Sequence, residues 1–169
     1  GPRRVRSLID APLATAWRPP FDAGDPAPWF EGATPNSAHF HFSTTVGRYL
    51  LLGFLPPPGA ARDAAFAAFE AHRGLFDDHK LSAFLVLPDA ASIAKARNQP
   101  PGLRWFLDGD GAISRLYGAL DGGGARRPFW LLLDPSHRVL GAYALADAAA
   151  LFAQIVALPP IADFAGAEL

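Results

Sequence analysis

The sequence predicts an α/β domain built on a mixed β-sheet with helices on both faces, and three features predict it. Residues 49–55 (Tyr-Leu-Leu-Leu-Gly-Phe-Leu) form a nearly unbroken apolar run of strand length, which suits a central strand covered on both sides. A second such run, residues 82–87, follows one helix-length segment later. Two strands joined through a helix must lie parallel, with a right-handed crossover. Residues 129–133 and 139–143, joined by Asp134-Pro135-Ser136-His137-Arg138, read as a hairpin that adds antiparallel strands.

Taken in order, residues 1–20 read as an arm: Gly1-Pro2 resembles the scar of a removed tag, and no hydrophobic period holds as far as Arg18-Pro19-Pro20. Pro26 and Pro28 hold the residues before them extended, so residues 21–30 form a non-helical strap, anchored by Trp29 and Phe30. His39, Phe40, His41 and Phe42 alternate as a short strand, and residues 45–47 turn into the main one. After residue 55, Pro56, Pro57, Pro58 and Gly59 forbid both ladder pairing and helix, so the chain must turn. A helix follows over residues 61–73, with Ala65, Phe66 and Phe69 as its apolar stripe, Asp63 in its first turn and Gly74 as its stop.

Pro88 and Asp89 open a helix to about Asn98, with Asp89 as its N-cap, and Pro100-Pro101 end it. Residues 104–107 read as a short strand. Asp108-Gly109-Asp110-Gly111 has the spacing of a calcium loop, but Ala112 and Ala119 stand where further ligands are needed, which leaves a turn. Residues 113–117 make a short helix and Gly122-Gly123-Gly124 a flexible loop. After the hairpin a last helix covers residues 146–158, with Leu151, Ile155 and Leu158 on one side. Pro159-Pro160 stop it, and residues 159–169 read as the start of a linker. The folded domain is thus expected over residues 21–158.

Composition removes several classes of function. A net charge of -1 leaves no electrostatic footprint for nucleic acid or an anionic membrane, and no apolar run nears the ~20 residues of a transmembrane helix. The chain is expected to be soluble and cytoplasmic. It has no cysteine and no methionine, which excludes disulfides, thiolate nucleophiles, thiolate metal sites and thiol redox cycles. His39 and His41 share one face of their strand as a metal pair would, but no third ligand at metal-site spacing completes the set. A half-exposed strand face is the default reading there, and no cofactor is expected in this chain.

The element order, strand, helix, strand, helix, strand, short helix, hairpin, helix, fits a thioredoxin-like fold best among small folds. Within it the residues resemble the peroxiredoxins of the alkyl hydroperoxide reductase type. Residues 24–30 (Gly-Asp-Pro-Ala-Pro-Trp-Phe) are similar to that family's N-terminal strap, 45–54 to its following strand, 108–118 to its Asp-x-x-Gly-x-x-Ala-x-x-Tyr-Gly segment, and 127–135 to its Arg-x-x-Phe-x-Ile-Asp hairpin. The family's catalytic centre is a Pro-x-x-x-Thr-x-x-Cys loop with an Arg from a later strand. Residues 56–63 (Pro-Pro-Pro-Gly-Ala-Ala-Arg-Asp) contain neither Thr nor Cys, whereas Arg127 matches the family arginine.

The resemblance therefore implies a redox-inactive peroxiredoxin-like domain with no catalytic residue, which is not a thiol peroxidase. It leaves a vestigial binding pocket at Pro57, Gly59, Ala60 and Arg127, suited to a carboxylate, sulfate or phosphate. It also makes the peptide before Pro128 a candidate for cis. Bacterial proteins that carry such a domain ahead of an Fe(II)- and 2-oxoglutarate-dependent dioxygenase are the resemblance that residues 158–168 favour. The expected partner is then a covalently attached catalytic domain beyond Leu169, with Fe(II) and 2-oxoglutarate held there. A stand-alone small-molecule or anion binder, a homodimer module, and a peroxiredoxin whose cysteines were removed by engineering stay open beside it.

Overall fold

The structure, a computed structural model, describes residues 17–89 and 101–162. All six residues of β3 (Tyr49–Phe54) are buried, and the strand is bonded along both edges. It runs parallel to β4 (Leu81–Leu87), from Tyr49 opposite Leu81 to Phe54 opposite Val86, and antiparallel to β6 (Phe129–Leu133). β5 (Leu103–Leu107) lies parallel on the far edge of β4, and β7 (Val139–Ala144) closes the hairpin with β6. A hairpin of β1 (Glu31–Thr34) and β2 (Ser37–His41) extends the other edge, so the seven strands stand in the order β2-β1-β5-β4-β3-β6-β7.

Side chains alternate across a strand, so β3 feeds two separate cores. Tyr49 and Leu51 pack with Ala65 and Phe69 of α1 (Ala60–Ala71) and with Leu151, Phe152 and Ile155 of α3 (Ala148–Val156). Leu50, Leu52 and Phe54 face the other way, onto Phe42, Phe84 and Phe106 and onto Ile113 and Tyr117 around α2 (Ala112–Leu116). Gly53 lies in the phase of Tyr49 and Leu51, where a Cβ would meet Leu85 at 2.7 Å and Trp130 at 2.8 Å. Its missing side chain is what lets the Trp130 ring lie across the strand.

The mixed sheet with helices on both faces is as the sequence predicts, and the differences are local. β1 was not expected, because Glu-Gly-Ala-Thr carries little strand propensity; it is held by β2 and by its pairing to β5 at Ala33 and Leu107. The last helix is shorter than expected, its first turn replaced by a 3₁₀ turn over Leu145–Asp147. The expected helix to Asn98 lies outside the described residues. Both arm and tail touch the cores: Trp17 stands 5.8 Å from the ring of Phe129, and the Tyr49 hydroxyl donates to the Pro159 carbonyl at 3.0 Å.

Two readings need correction. The peptide before Pro128 is trans. The Arg127 N–H donates to the Ala119 carbonyl at 2.8 Å, which ties the residue before Pro128 to the loop that follows α2. The turn at Asp108 is more than a turn: its buried carboxylate accepts the Ile113 and Ser114 N–H groups, both at 2.9 Å, and the Ser114 hydroxyl at 2.6 Å. It caps α2 from outside, across the five and six residues that separate it from Ile113 and Ser114.

The strap is fastened by a buried imidazole rather than by a buried indole. Trp29 is 63% exposed, whereas His137 is 2% exposed. The indole N–H of Trp29 donates to His137 Nδ1 at 2.9 Å. Because an indole can only donate, Nε2 carries the ring proton and gives it to Thr45 Oγ1 at 2.9 Å, while the Thr45 hydroxyl donates to the Phe42 carbonyl. The ring also stacks on Phe42, with centroids 4.7 Å apart.

Burial lowers the pKa of His137, outweighing Thr45 and Asp134, which act to raise it. The unfolded chain then takes up this proton first as pH falls through about 6.5, so stability should decline below that pH until the folded ring protonates in turn. Above that window the group contributes no slope. His137→Asn tolerates the left-handed φ of 62° at this position. Urea denaturation between about pH 7.5 and 5 should show a shallower pH slope for the variant than for the parent chain; equal slopes would contradict the assignment.

Candidate functional site

In an open α/β sheet ligands favour the crevice beyond the carboxyl ends of the strands, at the end of β3 and the start of α1. Three prolines turn the chain there, and Pro57, Gly59 and Ala60 lie exposed. The side chain that fills the corner is Arg62, only 5% exposed in the first turn of α1. Its Nε–H donates to the Pro56 carbonyl at 2.7 Å, and its Nη2 meets Asp89 Oδ1 at 2.5 Å. The end of β3, the first turn of α1 and the segment leaving β4 are thereby drawn to one guanidinium.

Arg62 brings no redox or proton-transfer chemistry to this corner. A guanidinium stays protonated in proteins, so it serves neither as nucleophile nor as general base. Its charge stands beside the positive end of the α1 dipole, where an anion would be preferred, and the Asp89 carboxylate offsets that repulsion. The sequence reading passed over Arg62. The signal was present: a cation in the first helical turn is the opposite of what the dipole favours, and calls for a local partner.

Arg127 does not join this corner. Its Nη2 faces Asp121 at 3.5 Å, and it lines a cavity of about 430 Å³ with Trp17, Arg126, Pro128, Ala144 and Leu145. Pro57, Gly59 and Ala60 are not among the walls of that cavity. The Ala125 N–H, with Gly123 and Arg127, holds the Asp121 carboxyl below the usual carboxylate range. His39 and His41 are exposed on β2, with His39 Nδ1 2.6 Å from Glu31. Among the described residues no group of three His, Cys, Asp or Glu side chains is placed to hold a metal ion. No described helix is long and apolar enough to cross a membrane.

No protein-family model and no curated sequence matches the chain. Solved structures do. A Mycobacterium tuberculosis peroxidoxin, BcpB, superposes with a TM-score of 0.66 at 16% identity, over 82% of this chain and 99% of its own. The Xanthomonas campestris bacterioferritin comigratory protein, described for its alkyl peroxide reduction activity, gives 0.63 at 17% identity, over 77% and 91%. A reduced Plasmodium vivax 2-Cys peroxiredoxin gives 0.60 at 19% identity, over 73% of each chain. The chain thus has the thioredoxin-like fold of peroxiredoxins, and it has no cysteine.

If Arg62 is the clasp of this corner, Arg62→Ala removes both its bond to the Pro56 carbonyl and its ion pair with Asp89 and should cost about 3 kcal/mol, the scale of breaking a largely buried ion pair. Chemical denaturation reads this directly. A loss under about 0.5 kcal/mol, the scale of a surface change, would show that the clasp contributes little.

Proposed function

We propose that the chain is a redox-inactive peroxiredoxin-fold domain that binds or positions other molecules and does not reduce peroxide. The observation that supports this most is the occupied corner: where the fold favours a reactive group, a buried arginine is bonded to the Pro56 carbonyl and paired with Asp89. Peroxide reduction by a protein's own side chains needs an atom that gives up an electron pair to oxygen, a thiolate or, less readily, a thioether sulfur. This chain has neither. Incubation with hydrogen peroxide and an alkyl hydroperoxide, with a dithiol as reductant, should consume peroxide no faster than buffer. Turnover that survives removal of trace metals would overturn the reading.

The finer form of the proposal is a positioning or dimerisation module of a larger protein, an Fe(II)- and 2-oxoglutarate-dependent dioxygenase, with the metal ligands outside residues 1–169. It rests on the resemblance of residues 158–168 to such linkers. A coding sequence that continued past Leu169 without a His-x-Asp…His pattern would remove it. Sedimentation reporting only monomer at micromolar concentration would remove dimerisation.

A second reading, anion binding in the cavity beside Arg127 rather than at the corner that Arg62 fills, is favoured by the Arg127 guanidinium, which is about half exposed and lines that open cavity. Pro57, Gly59 and Ala60 belong to that reading only through the exposed start of α1.

A further inference from the structure

At the other end of β3, about 16 Å from the proline corner at five residues of strand rise, the sheet breaks its own pattern. Leu50, Ser82, Phe84 and Arg104 lie at facing ladder positions on the side of the sheet that packs the aromatic core. Arg104 falls in the same phase as Phe106, where an apolar residue belongs, and Ser82 stands where Phe84 and Val86 continue the core. These two polar residues, with Arg48, line a cavity of about 240 Å³ whose apolar wall is Phe40 and Phe84.

The charges in this cavity do not cancel. Asp78 stands between the two arginines, with Oδ2 3.2 Å from Arg104 Nη1 and Oδ1 3.7 Å from Arg48 Nη1. The same carboxylate already accepts the Ser82 hydroxyl at 2.7 Å and the Gly102 N–H at 2.9 Å. One carboxylate facing two guanidiniums leaves one positive charge at the cavity.

Donors are left over as well. Arg48 uses Nη1 on Ser82, and Arg104 uses Nη1 on Asp78 and the Leu103 carbonyl. Among the described residues neither Nε nor Nη2 of either arginine is hydrogen-bonded. The hydroxyls around the cavity are already committed, Ser82 to Asp78, Thr44 to the His41 carbonyl and Thr45 to the Phe42 carbonyl. Oxygens of a ligand would therefore be met by guanidinium N–H groups, the strongest neutral-pH partners of a carboxylate.

We infer that the cavity between Arg48 and Arg104 is a binding site for a small organic monocarboxylate, its carboxylate held by the two guanidiniums and its apolar body against Phe40 and Phe84. The single surplus charge matches a monoanion. The volume, about eight waters' share at roughly 30 Å³ each, suits a compact molecule of the size of benzoate. The site is independent of the proline corner, and its failure would leave the redox-inactive reading standing, since the peroxide assay does not involve it.

Titrating the full chain with sodium benzoate, followed by ¹H–¹⁵N NMR, should give saturable shifts at Thr44, Thr45, Ser82 and Arg104, and none at Ala60, Ala61 or Arg127. Arg104→Gln and Arg48→Gln should each weaken binding about tenfold or more, the scale of one lost charge-assisted bond. Asp78→Asn removes the competing charge at a residue whose φ of 63° asparagine tolerates, and should tighten binding several-fold. If an arginine variant fails to fold, Asp78→Asn decides. No saturable shift, shifts centred on α1 or Arg127, unchanged or weaker binding in Asp78→Asn, or saturation by inorganic phosphate but not by benzoate would each overturn the inference.

Discussion

Burial of β3 on both faces, with ladder bonds on both edges, is the constraint on which the rest of the structure depends. A strand with no solvent face needs cover on two sides. That requirement sends α1 and α3 to one face and the strap, the 42–45 turn and α2 to the other. It also fixes where polar groups can stand. Because the middle of the sheet is filled by Leu50, Leu51, Leu52 and their neighbours, charge is confined to the two ends of the strands.

The two ends treat arginine differently. At the carboxyl end Arg62 is buried and paired with a carboxylate, so its charge is spent on holding the corner together. At the amino end Arg48 and Arg104 share a single Asp78 and remain partly exposed, so charge and donors are left for something else. A buried, paired cation is a structural clasp; two cations sharing one anion beside a cavity are a receptor for another anion. In peroxiredoxin-fold architecture this moves the chemistry worth pursuing from the end of β3 to its beginning.

The aromatic face is knit by polar side chains as much as by rings. His137 joins the strap, the 42–45 turn and the β6–β7 hairpin through Trp29, Thr45 and its own backbone. The Tyr117 hydroxyl donates to the Pro28 carbonyl at 2.5 Å, and burial pushes its pKa well above the usual phenol range. Such bonds compensate for the loss of regular ladder pairing in a proline-rich strap, whose prolines carry no N–H to give.

Much of the fold was legible in the sequence, because its strongest signals are local. The apolar runs of β3 and β4, the Asp-Pro turn of the β6–β7 hairpin and the three prolines after residue 55 each act over a few residues, and the absence of sulfur needs no structure at all. What stayed hidden depends on partners far apart in the chain. β1 exists through β2 and β5, Asp89 answers Arg62 across 27 residues, His137 answers Trp29 across 108, and Arg104 meets Asp78 across 26. The sequence by itself determined the sheet's central strands and the loss of thiol chemistry, since composition and short-range pattern decide both. Only the tertiary structure decided which arginines are neutralised and which face a cavity, because that depends on how many carboxylates the fold brings to each.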